Sequence, residues 1–253
     1  EAIVRNLLLG KRMAAEFGGA LRSGYTATSY GQTSQLPQIY RGFGIQSALF
    51  YRGTNKHQMD PLTLWEGRDG SELYVIRGFD EVTRTNWYFY VHTPLVFNKP
   101  PRDLSYKYDP EDQPVHMCDE RLYELDFQVL NERYRFARDR ASLEKALRAI
   151  RNQALPYAIG RRILALDVDD NEVAFDLLPE MIRALNEISD DIEIIHDHFD
   201  DYADLVIEES KGKKLRRWKG EIRQTAIEPG FNGLYGMTPS SRVNLKLAND
   251  ACE

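Results

Sequence analysis

Residues Gly24–Ile45 read GYTATSYGQTSQLPQIYRGFGI, a run of small and polar turn residues with interleaved aromatics that ends in an amphipathic tail. What flanks the run decides how it is placed. Upstream, Ile3, Val4, Leu7, Leu8, Met13, Ala14 and Phe17 recur at helical spacing, and Gly18-Gly19 supplies a left-handed stop that glycine adopts at little cost. Downstream, Ile45–Tyr51 is a short apolar run of strand length. The stretch is therefore a loop that follows a helix and precedes a buried strand.

Further along, Leu64 and Trp65 are separated from Leu73, Tyr74 and Val75 by Arg68-Asp69-Gly70-Ser71, which predicts a hairpin over residues 63–76. Residues 98–114 are rich in proline, aspartate and lysine and read as a long surface loop. From Cys118 onward helical and strand patterns alternate. Helices are predicted over 120–138, 142–155, 178–188 and 201–210, and strands over 162–166 and 191–195. Alternation of this kind is what a parallel sheet wrapped by helices requires, so the fold class is α/β. A last helix, capped by Ser240, runs through Val243, Leu245 and Leu247. The sequence starts within one helical pattern and stops within another, and it reads as a fragment.

Composition narrows the function classes. A chain of 253 residues with 42% hydrophobic and 28% charged residues is an ordinary globular protein. It carries no apolar run near the roughly 20 residues that span a bilayer, so neither membrane nor secretion is indicated, and the cytoplasm is the expected compartment. A net charge of -6 disfavours a nucleic-acid partner. The basic run Lys211–Lys219 with its Trp218 is the local exception, either a solvated connector leading to a strand or a site for nucleic acid or an acidic partner. Cys118 and Cys252 show neither disulfide-scaffold nor metal-site spacing.

Four blocks, in order, resemble glycoside hydrolase family 38, the α-mannosidases, and most closely their bacterial members. They are the opening stretch, the hairpin Trp65-Glu66-Gly67-Arg68-Asp69-Gly70-Ser71, the segment Ile163–Ile182, and the Ser240-Ser241-Arg242 turn with Lys246 and Asn249. The resemblance implies a seven-stranded β/α barrel followed by a helical bundle. Residues 1–210 would form the later part of that barrel, and residues 211–253 a connector and the first bundle helix. The family's opening strand, with its His-x-Asp metal ligands, would precede Glu1.

The resemblance also implies chemistry. Family members hydrolyse α-mannosides with retention, which needs two carboxyl groups about 5 to 5.5 Å apart, one as nucleophile and one as acid then base. A divalent metal, usually zinc, holds sugar hydroxyls. The family's nucleophile, also a metal ligand, falls at Thr28, and a threonine hydroxyl is a poor replacement in either role. Tyr30 stands where the family places an aromatic beside the sugar ring, or is a packed loop aromatic. Gln32 occupies a position that is histidine in many members.

Arg52 matches an arginine that reaches the catalytic carboxylates; a surface ion pair is its other reading. Asp170 matches the acid/base and Asp169 its hydrogen-bonding neighbour, with a helix cap as the alternative role for either. The family's glycine and histidine around them are Val168 and Asn171 here. The last family metal ligand, a histidine, is missing from Phe231–Tyr235.

The expected function is that of an α-mannosidase-like hydrolase whose substrates are α-mannosides or mannose-containing oligosaccharides. This chain is expected to be inactive and to bind no metal by itself, and homo-oligomer formation stays open. The alternative is a non-catalytic carbohydrate-binding or scaffold relative. His196-Asp197-His198 with Asp200 is the one other cluster with metal-like spacing, and loop hydrogen bonding is its plainer reading.

Overall fold

The computed structural model describes residues 2–26, 31–103, 135–167, 175–223 and 242–252. Thr28, Tyr30, Asp169, Asp170 and the segment Phe231–Tyr235 lie outside the described residues, as do the 104–134 part of the predicted loop and helix and the Ser240 cap. The contacts divide the chain into two units. One comprises Glu1–Thr83, Ile159–Arg162 and His198–Glu253; the other comprises Arg84–Ala158 and Ile163–Asp197.

The first unit begins with helix α1 (Ala2–Ala14), which closes through a single 3-10 turn on Gly18 at φ 96°. Strand β1 (Ser23–Tyr25), helix α2 (Leu36–Gly42) and strands β2 (Ser47–Phe50), β3 (Leu62–Glu66) and β4 (Glu72–Arg77) follow. Helix α6 (Phe199–Ser210), strand β5 (Arg216–Lys219) and helix α7 (Val243–Cys252) complete it. The strands form one sheet in the order β1-β2-β4-β3-β5. Pairs β1/β2, β2/β4 and β3/β5 are parallel, and only the β3–β4 hairpin is antiparallel. Among the described residues the sheet is open rather than closed into a barrel.

Alternation along the strands explains the packing, because residues two apart share a face. The register places Gly24, Ala48, Phe50, Val75, Leu73, Trp65 and Trp218 on one face. Most of these join Leu36 and Tyr40 of α2, Ile45, Met59 and Ile222 in one core. Phe50 meets Trp65 edge-on at 5.9 Å, and the fully buried Trp65 donates its indole N–H to the Gly220 carbonyl at 2.8 Å. Gly24 is glycine because the Tyr40 ring lies directly on it; a Cβ there would sit 2.1 Å from Tyr40 Cε2.

The described regular elements of the second unit are helical. They include a π-turn over Tyr88–His92, α3 (Thr93–Val96), α4 (Arg140–Ala154) and α5 (Leu178–Ile188). Asp139 caps α4 by accepting the Ser142 amide at 2.9 Å. Leu143, Ala146 and Ile150 of α4 pack with Met181 and Leu185 of α5, and with Trp87, Val91, Leu95, Phe136 and Phe175.

The structure departs from the expected elements at several points. Residues 135–138 are not helical, although a helix was expected to run to 138. Asp139 takes an extended backbone there to cap α4, and the Ala137 amide turns to the Leu95 carbonyl. Neither 162–166 nor 191–195 pairs as a strand. In each case an asparagine side chain takes the place of a neighbouring strand. Asn86 bonds Leu164 and Leu166, and Asn186 bonds both the N–H and the C=O of Ile194, at 2.8 and 2.9 Å.

The basic run is not a mere connector, because Arg216–Lys219 is itself the edge strand β5. Its charges face carboxylates: Arg216 pairs with Asp60, Arg217 with Glu66 and Glu72, and Lys219 with Glu66 at 2.7 Å. No helix among the described residues is long and apolar enough to cross a membrane.

Candidate functional site

Because β1, β2 and β4 run in one direction, the chain leaves all three at the same end of the sheet. That end is where barrel enzymes assemble their sites. The three exits are interlocked. After β1, Thr26 Oγ lies 3.4 Å from the Tyr40 hydroxyl, whose pKa burial raises against the opposing pull of that contact. The chain is described again at Gly31 and Gln32. There Gln32 exchanges two backbone hydrogen bonds with Ile222, at 2.8 and 3.0 Å.

After β2, Tyr51 is buried, Arg52 is half-buried and Gly53 turns at φ +75°. A side chain at Gly53 would meet the Ile222 carbonyl at 2.9 Å, and one at Gly31 would meet the same oxygen at 3.2 Å. After β4, the Gly78 amide donates to the Phe50 carbonyl at 2.8 Å, and a Cβ on Gly78 would lie 2.7 Å from Tyr51 Cβ. Arg52 is thus flanked by Tyr51, pressed on Gly78, and by Gly53, pressed on Ile222. Its backbone is fixed on both sides, and its guanidinium carbon lies 6.0 Å from the Tyr51 ring centroid, at the outer limit of a cation–π contact.

One further charged pair occupies this end and was not picked out from sequence. Arg77, the last residue of β4, stands in register beside Phe50 and is 5% exposed, and it binds Asp80 Oδ1 through Nη1 at 2.5 Å. The available signal was an arginine closing the apolar run Leu73–Ile76, with an aspartate three residues on. Burying a guanidinium costs hydration that a close carboxylate offsets, and Asp80 supplies one such contact.

Of the expected site residues, the structure places Arg52 at the carboxyl end of the parallel strands. Thr28 and Tyr30 belong in sequence to the β1 exit, and Asp169 and Asp170 to the segment after Leu166; all four lie outside the described residues. No group of three or more histidine, cysteine, aspartate or glutamate side chains converges among the described residues. In the cluster proposed from spacing, Asp200 ties α6 to the chain before β1. It accepts the Arg22 amide at 2.7 Å, and its neighbour Asp204 takes the Arg22 guanidinium at 2.8 Å.

An α/β domain with glycine-locked loops gathered at one end of a mostly parallel sheet defines the class of protein. Residues 1–221 match the glycosyl hydrolases family 38 N-terminal domain, and the chain belongs to that family. Among solved structures it is similar to an alpha-mannosidase from Enterococcus faecalis V583, with 17% identity, a TM-score of 0.61, and coverage of 87% of this chain and 20% of that one. A second similar structure is a protein in glycosyl hydrolase family 38 from Enterococcus faecalis, with 19% identity, a TM-score of 0.45, and coverage of 86% and 17%. The chain thus spans about a fifth of the length of the solved structures it matches. No curated protein matches it.

Proposed function

We propose that this chain forms the sugar-binding part of an α-mannosidase-like glycoside hydrolase, and that by itself it does not hydrolyse mannosides. The observation that supports the binding role is Arg52, held at the carboxyl end of β2 by Tyr51 against Gly78 and by Gly53 against Ile222. In this reading Arg52 orients the groups around the scissile bond through charge-assisted hydrogen bonds. Tyr30 lies against the sugar ring, Asp170 protonates the leaving oxygen, and Asp169 accepts a sugar hydroxyl or steadies Asp170.

The proposed inactivity follows from Thr28. Retention needs a second carboxylate to trap the sugar as a covalent intermediate. A neutral hydroxyl without an adjacent base attacks poorly, and it is also a weak zinc ligand. The test is release of nitrophenol from an aryl α-mannoside, with and without added zinc. No turnover is expected, and metal-dependent turnover that vanishes in Asp170→Ala would overturn the reading.

A second reading, a non-catalytic carbohydrate-binding or scaffold relative, draws support from the joint departures at Thr28, Val168 and Asn171. Thr28→Asp in the whole protein separates the two. A gain of mannosidase activity argues for an enzyme lacking one group, and no gain argues for the scaffold.

A further inference from the structure

We infer that Asp80 is a further sugar-binding carboxylate, which accepts at least one hydroxyl of the bound mannoside; this rests on the sugar-binding reading given above. Asp80 opens the short loop Asp80–Val82, which follows β4 at the same end of the sheet as Arg52. Two backbone hydrogen bonds close the loop. The Phe79 amide donates to the Thr83 carbonyl at 2.9 Å, and the Thr83 amide donates to the Phe79 carbonyl at 3.1 Å. Phe79 and Val82 are buried and root the loop in the protein. Gly78 is where this loop meets the β2 exit, because a Cβ there would lie 2.7 Å from the Thr83 carbonyl oxygen and 2.7 Å from Tyr51 Cβ. The Asp80 loop is thus packed directly on the residue that precedes Arg52.

The carboxylate is held in place from two sides. Arg77 Nη1 binds Asp80 Oδ1 at 2.5 Å, and the backbone behind it is fixed by Thr83. Thr83 closes the loop at φ 51°, a left-handed conformation that a β-branched residue rarely takes and that persists only where surrounding contacts impose it. An ion pair serving stability alone would do as well with both members enclosed. Here the Arg77 side chain is 4% exposed and the Asp80 side chain 27% exposed, so the pair turns its carboxylate towards solvent. A carboxylate offers about four acceptor positions, more than one arginine contact fills. It accepts where a sugar hydroxyl donates, and hydrogen bonds to a charged acceptor are the stronger kind. Because Arg77 sets its orientation before a ligand arrives, binding does not have to order it.

The test measures binding of methyl α-mannoside and of its 2-, 3-, 4- and 6-deoxy analogues to the whole chain by ligand-observed NMR titration, in the wild type and in Asp80→Asn. Asp80→Asn combined with Arg77→Met, which removes the buried charge together with its contact, carries the test if the single variant does not fold. Affinity for methyl α-mannoside should fall about tenfold in the variant. For the analogue that lacks the contacted hydroxyl, wild type and variant should bind alike, because that sugar has already lost the same bond. A substitution that only disturbed the loop would weaken every sugar by the same factor. That result, or an unchanged affinity for methyl α-mannoside, overturns the assignment of Asp80. A wild-type chain that binds none of the sugars overturns the sugar-binding reading, and the assignment with it.

Discussion

His92 gives the second unit a built-in sensitivity to acid. Its ring is 2% exposed and enclosed by aromatics, stacked on Tyr88 at 5.2 Å with Phe97 at 5.4 Å and Phe175 edge-on at 4.7 Å. Nε2 is buried and has no hydrogen-bond partner among the described residues. Burial lowers the pKa from the ordinary 6.5 to about 4. Between these values the unfolded chain takes up a proton that the folded chain refuses. The contribution of neutral His92 is therefore intact above pH 6.5 and is lost progressively as the pH falls towards 4.

At roughly 1.4 kcal/mol per pH unit the loss reaches about 3 kcal/mol, a sizeable share of the stability of an ordinary domain. Urea titrations at several pH values, followed by circular dichroism, measure it for the wild type and for His92→Phe. The other titrating groups are common to both, so the difference in slope isolates the imidazole. His92→Phe should lose less stability on acidification, and at pH 7 it should be at least as stable, because the unsatisfied nitrogen is gone. Equal slopes, or a wild type that resists acid better than the variant, would refute the reasoning.

Two other substitutions probe the first unit. Gly24→Ala drives a methyl group into the Tyr40 ring from 2.1 Å, and thermal melts should show a loss of about 1 to 3 kcal/mol, relieved by pairing it with Tyr40→Leu. Trp65→Phe removes the indole hydrogen bond to the Gly220 carbonyl and leaves a void in the core, and denaturant unfolding should show a loss on the order of 1 to 3 kcal/mol.

The β3–β4 hairpin was legible because alternating apolar residues and an Asp-Gly turn act over short range, and the structure reproduces it with Trp65 opposite Leu73. Helices α4, α5 and α6 were legible for the same reason, each carrying its own apolar stripe. Strand β1 was not. Ser23-Gly24-Tyr25 has no strand pattern of its own, and its parallel pairing with β2 makes it one. The opposite error occurred at 162–166 and 191–195, where strand-like residues end up beside Asn86 and Asn186 instead of another strand. A polar side chain serving as the neighbour leaves no period in the sequence.

The run Tyr88–Val96 is aromatic and apolar on every side, with Pro94 within it, so it matched neither helical nor strand spacing before it folded as a π-turn and a short helix. At the site, Arg52 was legible only through its place in a family pattern. Arg77 and Asp80 pass for ordinary surface charges until the strand register puts Arg77 beside Phe50.

The Gln32–Ile222 bridge sets a lower limit on how far the chain can be cut back. The span that matches the family ends at residue 221, yet the two hydrogen bonds that pin the β1 exit, and the carbonyl that Gly31 and Gly53 are shaped around, belong to the residue after it. A version shortened to the matched boundary would keep the five described strands and lose the clasp that joins two loops of the candidate site. A piece that keeps this clasp is therefore set by a backbone contact between residues 190 positions apart in sequence, and it has to include Ile222.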